Sequence, residues 1–264
     1  MTALALVTRR MLLKDMGKAG LAVLVLGAAA CSDEGSEDSS TSTGSEPSTS
    51  EASDASTTPA PTTTSPQANG AYEWQRVNLG FVSAYILYRG GEATIVDTGV
   101  EGSEDSIKTA LGEVGLGWSD VSRLIVTHKH PDHQGSVEAV LAASGADWYA
   151  GAGDIEAITA TTEGTVVGDG DDVGGLQVIE TPGHTPGHIS VLDSMAGVLA
   201  SGDALNGSDG GVIGANPDFS EDMTLANASV AKLATFDYEV ALFGHGEPVL
   251  SEASDAVAAL AATL

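Results

Sequence analysis

From Ser32 to Gly70 the sequence is dominated by Ser, Thr, Pro, Asp and Glu, and it contains no Leu, Ile, Val or aromatic residue. A segment of that composition has too little apolar surface to offset the entropy lost on ordering. It reads as a tether, and it confines the core of this 264-residue chain to residues 71–264, long enough for one substantial domain. Only one cysteine is present, so no disulfide can staple that domain.

The residues ahead of the tether carry a different pattern. Residues 8–14 read Thr-Arg-Arg-Met-Leu-Leu-Lys, and Ala19–Ala30 is an uncharged apolar run. Spanning a bilayer takes roughly 20 residues, so this shorter run reads as the core of an export signal over residues 1–30. The paired arginines resemble a twin-arginine signal, which exports proteins already folded. Ala28-Ala29-Ala30 then precedes Cys31 in an arrangement similar to a lipobox that lacks its usual leucine. The expectation is a lipoprotein beginning at Cys31, whose acyl chains would each contribute roughly 0.8 kcal/mol per buried methylene to membrane attachment. Residues 31–70 would let the domain stand off the extracytoplasmic face of the membrane.

From Cys31 onward six basic residues face 36 acidic ones. A field of that sign repels phosphate backbones, which argues against nucleic acid as a partner and against a nuclease. The acidity serves solubility. A small molecule is the expected substrate, the membrane is met only through lipid on Cys31, and the pattern sets no oligomeric state.

Within residues 71–264, short apolar runs of strand length recur: Tyr72–Asn78, Phe81–Tyr88, Ala93–Asp97 and Leu124–Thr127, then Thr165–Gly168, Leu176–Glu180, His188–Leu192, Gly197–Ala200 and Tyr238–Leu242. Ile107, Leu111 and Val114 have the spacing of a helix face, which predicts a helix over Glu104–Val114, and a second helix is expected from near Gly135. Further helices are expected over Glu221–Thr235 and Glu252–Leu260, with Ser220 and Ser251 as their N-caps. Gly168–Gly175 and Gly207–Gly214 read as turns and a mobile rim loop. Strands in groups with helices between the groups favour sheets packed face to face with helices outside.

The histidines carry the chemistry. None occurs before His128; then His128, His130 and His133 fall within six positions, followed by His184, His188 and His245. His128 and His130, two apart in extended chain, point the same way. Two imidazoles plus a third from elsewhere suit a tetrahedral zinc site with water in the fourth position. Asp132 and His133 can face a second metal, and Asp203 suits the anionic bridge that two close cations require.

Four segments run in register: His128-Lys129-His130-Pro131-Asp132-His133, Thr181-Pro182-Gly183-His184-Thr185-Pro186-Gly187-His188, Ser201-Gly202-Asp203 and Phe243-Gly244-His245-Gly246. Together they resemble the metallo-β-lactamase-fold hydrolase superfamily over essentially all of residues 71–264. The resemblance implies a mixed α/β chain folded as a four-layer αββα sandwich. It implies two zinc ions, with iron or manganese as substitutes: His128, His130 and His184 on one, Asp132, His133 and His245 on the other, and Asp203 bridging. Ala93-Thr94-Ile95-Val96-Asp97-Thr98-Gly99 is similar to the family's strand and turn before the first helix, where the Asp orients ligands through hydrogen bonds. His188 reads as a packing or orienting residue rather than a ligand.

The expected reaction is attack of a metal-bridging hydroxide on an ester, thioester, lactone or amide carbonyl, with the metals stabilising the oxyanion and Asp132 orienting the nucleophile and relaying a proton. No Gly-x-Ser-x-Gly elbow, phosphate-binding loop or dinucleotide turn competes with that reading. Asp at the bridging position is closer to thioesterase, lactonase and phosphoesterase members than to zinc β-lactamases. Lys232 is the only base beyond Lys129 and the sequence stops soon after His245, which disfavours glutathione thioesters. A single-iron, sulfur-dioxygenase-like enzyme and a non-catalytic surface zinc-binding protein are the alternatives.

Overall fold

Along the strand Ser83–Arg89, successive side chains point to opposite faces, and both faces are buried: Ala84 and Ile86 on one, Tyr85 and Leu87 on the other. A strand apolar on both sides needs a packing layer on each. The structure, a computed structural model, describes residues 70–264 and supplies both layers. The signal-like segment, Cys31 and nearly all of the tether lie outside the described residues.

Strands β1 (Glu73–Asn78), β2 (Ser83–Arg89), β3 (Glu92–Val96), β4 (Val121–Val126), β5 (Asp147–Gly151) and β6 (Thr165–Val167) form a six-stranded sheet in that order. It is antiparallel from β1 to β3 and parallel from β3 to β6. There follow β7 (Asp172–Val173), β8 (Leu176–Glu180), β9 (Ile189–Asp193), β10 (Val198–Ala200), the hairpin β11 (Leu205–Ser208) and β12 (Gly211–Gly214), and β13 (Val240–Leu242). The second sheet has five strands in the order β13-β10-β9-β8-β7. Helices are α1 (Glu104–Glu113), α2 (Pro131–Gln134), α3 (Val137–Ser144), α4 (Met223–Leu233) and α5 (Ala253–Ala261).

The buried residues separate into three cores that stack these elements into layers. Ile107 and Leu111 of α1 and Val137 and Val140 of α3 pack on Ile95, Leu124 and Val126 of the first sheet. The opposite face of that sheet, through Tyr85, Leu87 and Ile125, meets Val178, Val191 and Leu242 of the second. The outer face of the second sheet, through Ile179, Leu199 and Ala241, is covered by Val230 and Leu233 of α4 and Val257 of α5. The order is helix, sheet, sheet, helix, the face-to-face arrangement with outer helices that the sequence pattern favoured.

Three hydrogen bonds join the sheets at one end. Ile189 N–H donates to Thr127 O at 2.9 Å, tying the end of β4 to the start of β9. Ser83 N–H and Tyr85 Oη donate to Gly244 O and Phe243 O, both at 2.8 Å. The loops leaving β4 and β13 are thereby held at the sheet-to-sheet seam, Gly244 N–H donating to Gly202 O at 3.2 Å brings in the loop leaving β10, and that is where the functional side chains lie.

Several sequence expectations need correction. β5 was not foreseen, because Asp147-Trp148-Tyr149-Ala150-Gly151 has no β-branched residue and is specified by its parallel neighbours. Gly207–Gly214 is for the most part the hairpin β11–β12 rather than a loop. The N-cap of α4 is Asp222, whose Oδ1 accepts from Thr224 N and Leu225 N at 2.9 and 3.0 Å. Ser220 is committed elsewhere, and at α5 the cap position is Glu252 in a left-handed conformation with no side-chain cap bond. Asp222→Ala should therefore lower unfolding free energy by about 1 kcal/mol in urea titrations, while Ser251→Ala leaves the midpoint unchanged.

Candidate metal centre

The strand ends aim the histidines. His128 follows β4 by two residues, and His130 is the extended residue before Pro131, whose fixed φ opens the short helix α2 bearing Asp132 and His133. His184 lies in the β8–β9 turn, Asp203 in a tight turn after β10, and His245 just after β13. All seven side chains meet at one end of the sandwich.

Their separations are those of groups facing common centres. His130 Nδ1 lies 3.1 Å from His128 Nε2 and 2.9 Å from His184 Nε2. On the other side, His133 Nε2 is 3.5 Å from His245 Nε2 and 3.9 Å from Asp132 Oδ2, and His245 Nε2 is 3.4 Å from Asp132 Oδ2. Asp203 stands between the two groups, with Oδ2 at 3.4 Å from His184 Nε2 and 3.2 Å from His245 Nε2, and Oδ1 at 3.3 Å from His133 Nε2. Two ligands each about 2.0 Å from a tetrahedral ion lie about 3.3 Å apart, so this spacing fits divalent cations. The three sets His128/His130/His184, His128/His133/Asp203 and Asp132/His133/His245 each gather within 4.8 Å. Asp203 Oδ1 is buried and makes no hydrogen bond, which a cation would remedy.

Hydrogen bonds on the far side of each ring select the tautomer. Thr127 Oγ1 gives its proton to Asp97 Oδ2 at 2.8 Å, so at 3.0 Å from His128 Nδ1 it accepts, leaving the His128 Nε2 lone pair free. Ser220 Oγ donates to Asn216 O at 2.7 Å and accepts in the same way from His184 Nδ1 at 3.0 Å. His133 Nδ1 donates to Asp97 Oδ2 at 2.8 Å, and His245 Nδ1 donates to Phe81 O at 2.6 Å. Four Nε2 atoms are thus turned inward.

Asp97 orients rather than ligates. Its Oδ1 also accepts from Thr127 N at 2.7 Å, and its φ of 61° is a left-handed conformation that a non-glycine residue seldom adopts. His188 is fully buried, and its Nε2 accepts from Asp203 N–H at 3.0 Å. Its Nδ1 must then carry the proton, and a relay through Thr181 and Ser190 hydroxyls ends on Ser201 O. His188 therefore positions the Asp203 backbone.

Two positioning residues escaped the sequence reading. Ser220 stands where the sequence pattern places a helix cap, yet it holds His184. Asp154, wholly buried, accepts from Lys129 N at 3.1 Å, Gly187 N at 2.9 Å and Thr185 Oγ1, stapling the loop of His128 and His130 to that of His184. Nothing in the one-dimensional pattern around Asp154 distinguishes it from the many surface acids.

Burial lowers the pKa of His128 well below the ordinary histidine value, and takes His184 to about 4 and His188 to about 3. Burial works the same way on His133, but Asp203 and Asp97 overcome it and carry the ring up to about 9. Hydrogen bonds to Asp132 and Asp203 take His245 up to about 10. Burial would raise Asp203, yet His133 and His245 hold it well below the usual carboxylate range. The protein groups alone thus keep protons on two imidazoles, where a cation would replace them.

A cavity of about 1030 Å³ opens over these groups, walled by Phe81, Val100, Ile213 and Phe219 among others.

The model of one known family, described as the metallo-beta-lactamase superfamily, matches residues 77–245. The chain belongs to the metallo-beta-lactamase superfamily. Over 202 residues it is 30% identical to the probable metallo-hydrolase YqgX of Bacillus subtilis, covering 66% of this chain and 90% of that protein. It is 38% identical over 92 residues to a hydroxyacylglutathione hydrolase of Rhodospirillum rubrum, 34% of this chain and 36% of that enzyme. Against such hydrolases the match spans between 36% and 50% of their length. Among solved structures, the metallo-beta-lactamase family protein TTHA1429 of Thermus thermophilus superposes with a TM-score of 0.58 at 23% identity, over 73% of this chain and 79% of that one. That likeness establishes the superfamily's fold.

Three outcomes are expected from this geometry. His133 and His245, protonated at pH 7, must release protons to bind metal, so the apparent zinc affinity of chelator-stripped protein rises with pH between pH 6 and 8. Calorimetry in buffers of different ionisation enthalpy should register about two protons released per protein. Asp154→Ala should weaken zinc binding by roughly 10- to 100-fold in competition with a chromophoric chelator. Gly244→Ala should do the same, because its methyl would overlap Asp203 Oδ1 and His133 Cε1.

Proposed function

We propose that the protein is a dinuclear zinc hydrolase that cleaves an ester, thioester, lactone or amide. The observation that carries this reading is the convergence of seven donors on two adjoining centres, with, between them, a buried carboxylate oxygen of Asp203 that makes no hydrogen bond. His128, His130 and His184 would hold one ion, Asp132, His133 and His245 the other, and Asp203 would bridge. Bound there, two such ions supply water activation near neutral pH and polarisation of the scissile carbonyl.

The chain's own groups do the rest. Asp203, fixed through its backbone by His188, sets the separation of the two centres. Asp132 is the partly exposed carboxylate of the set and lines the cavity, where it would orient the attacking water and relay a proton to the leaving group. Phe81 and Val100 present apolar surface on one side of the cavity. The acid-rich exported form suggested by residues 1–31 fits this reading as a lipoprotein held through Cys31 on the extracytoplasmic face.

Hydroxyacylglutathione hydrolases among the relatives raise glutathione thioesters as a candidate substrate. The cavity lining argues otherwise, since among the described residues it contains no Lys or Arg to receive the glutathione carboxylates. Lys129 pairs with Glu221 at 2.8 Å, and Lys232 with Asp169 at 2.6 Å.

Zinc-loaded protein should hydrolyse members of a panel of chromogenic esters, thioesters and lactones, lose the activity on chelation and regain it with zinc. Asp132→Asn and Asp203→Ala should each lower kcat/KM by about 100-fold or more. Unchanged rates in both variants, or one iron per chain with oxygen uptake, would overturn the reading.

A further inference from the structure

Large apolar side chains exposed on a domain surface are ordinarily scattered. Here four of the nine exposed ones among the described residues cluster at one place: Phe81, Val100, Ile213 and Phe219 are 64, 36, 48 and 66% exposed, and all four wall the cavity above the candidate metal centre. They come from separate elements. Phe81 precedes β2, Val100 follows the Asp97 turn, Ile213 is on β12, and Phe219 precedes α4.

The two phenylalanines are coupled to ligands on opposite sides. The Phe81 ring stacks on the His245 ring, with centroids 6.2 Å apart and planes 18° from parallel, while its carbonyl accepts the His245 Nδ1 proton. Phe219 is the chain neighbour of Ser220, which accepts from His184 Nδ1. An apolar chain lying between these rings would have its carbonyl end over the centre. Among the described residues the acidic groups in the lining are Asp132 and Asp203, both at the floor, and no Lys or Arg side chain lines it. An anionic group carried on the far end of a substrate would lose water there without meeting a counter-charge, in a domain whose own field is negative.

We propose that this cavity selects substrates with an uncharged, apolar acyl chain, and that Ile213 and Phe219 are its specificity-determining residues. The proposal rests on the hydrolytic reading above and deepens it by naming the substrate class. Each additional methylene buried against the wall should raise kcat/KM about two- to fourfold until the cavity is filled.

The test uses the zinc-loaded protein and 4-nitrophenyl esters from acetate to decanoate, together with the monoadipate, in which a carboxylate replaces the end methyl of the hexanoate. The expected result is a rise along the series and at least a tenfold preference for hexanoate over monoadipate. Phe219→Ser and Ile213→Ser should flatten the rise, with zinc content unchanged by elemental analysis. A flat series in the parent, or equal rates on hexanoate and monoadipate, overturns the proposal. Calorimetric binding of unreactive octanamide and butanamide provides a readout independent of turnover. If no ester is cleaved at any length, the hydrolytic reading loses its ester arm, and the amides decide the acyl site: octanamide bound at least tenfold more tightly supports it, and equal affinity overturns it.

Discussion

The arrangement of the site depends on one buried carboxylate. Asp97 accepts the Thr127 amide, the Thr127 hydroxyl and the His133 Nδ1 proton, so it joins the ends of β3 and β4 and aims two imidazoles together. The aim of His128 is indirect: because Asp97 takes the Thr127 hydroxyl proton, that oxygen must accept from His128 rather than donate to it. A buried carboxylate satisfied by three donors is rigid. The left-handed backbone at Asp97 is the local strain that this network maintains.

Around that anchor, the sandwich brings distant loops together. The first sheet supplies His128, His130, Asp132 and His133; the second supplies His184, Asp203 and His245. Asp154 ties the loops across the divide, and His188 fixes the turn that presents Asp203. Close backbone approach completes the fit. Gly202 packs so tightly on Thr127 and His188 that a side chain would force them apart, and its φ of 52° is left-handed as well.

Much of this was readable in one dimension because the informative residues are chemically rare. Six histidines, none before residue 128, stand out against the composition. The central strands were also legible, since Ile86, Ile95 and Ile125 belong to runs apolar enough to be buried on both faces. What escaped was specified by contacts distant in sequence. β5 takes its strand character from β4 and β6, and β11–β12 is a hairpin whose glycines, read by composition alone, suggest a loop. Ser220 preceded a helix and looked like a cap, but Asp222, two residues on, has the better geometry and releases Ser220 to hold His184. Asp154 is one acid among 37. Its role becomes visible only when two loops far apart in the sequence are placed on either side of it.

The division of the ligand set between the two sheets has a mechanical consequence. Any ions held there act as a rivet through the sandwich, since separating the sheets means pulling donors off opposite sides of the same cations. Binding energy at the centre then becomes cohesion of the whole domain, and resistance to heat tracks metal saturation as well as the quality of the apolar cores.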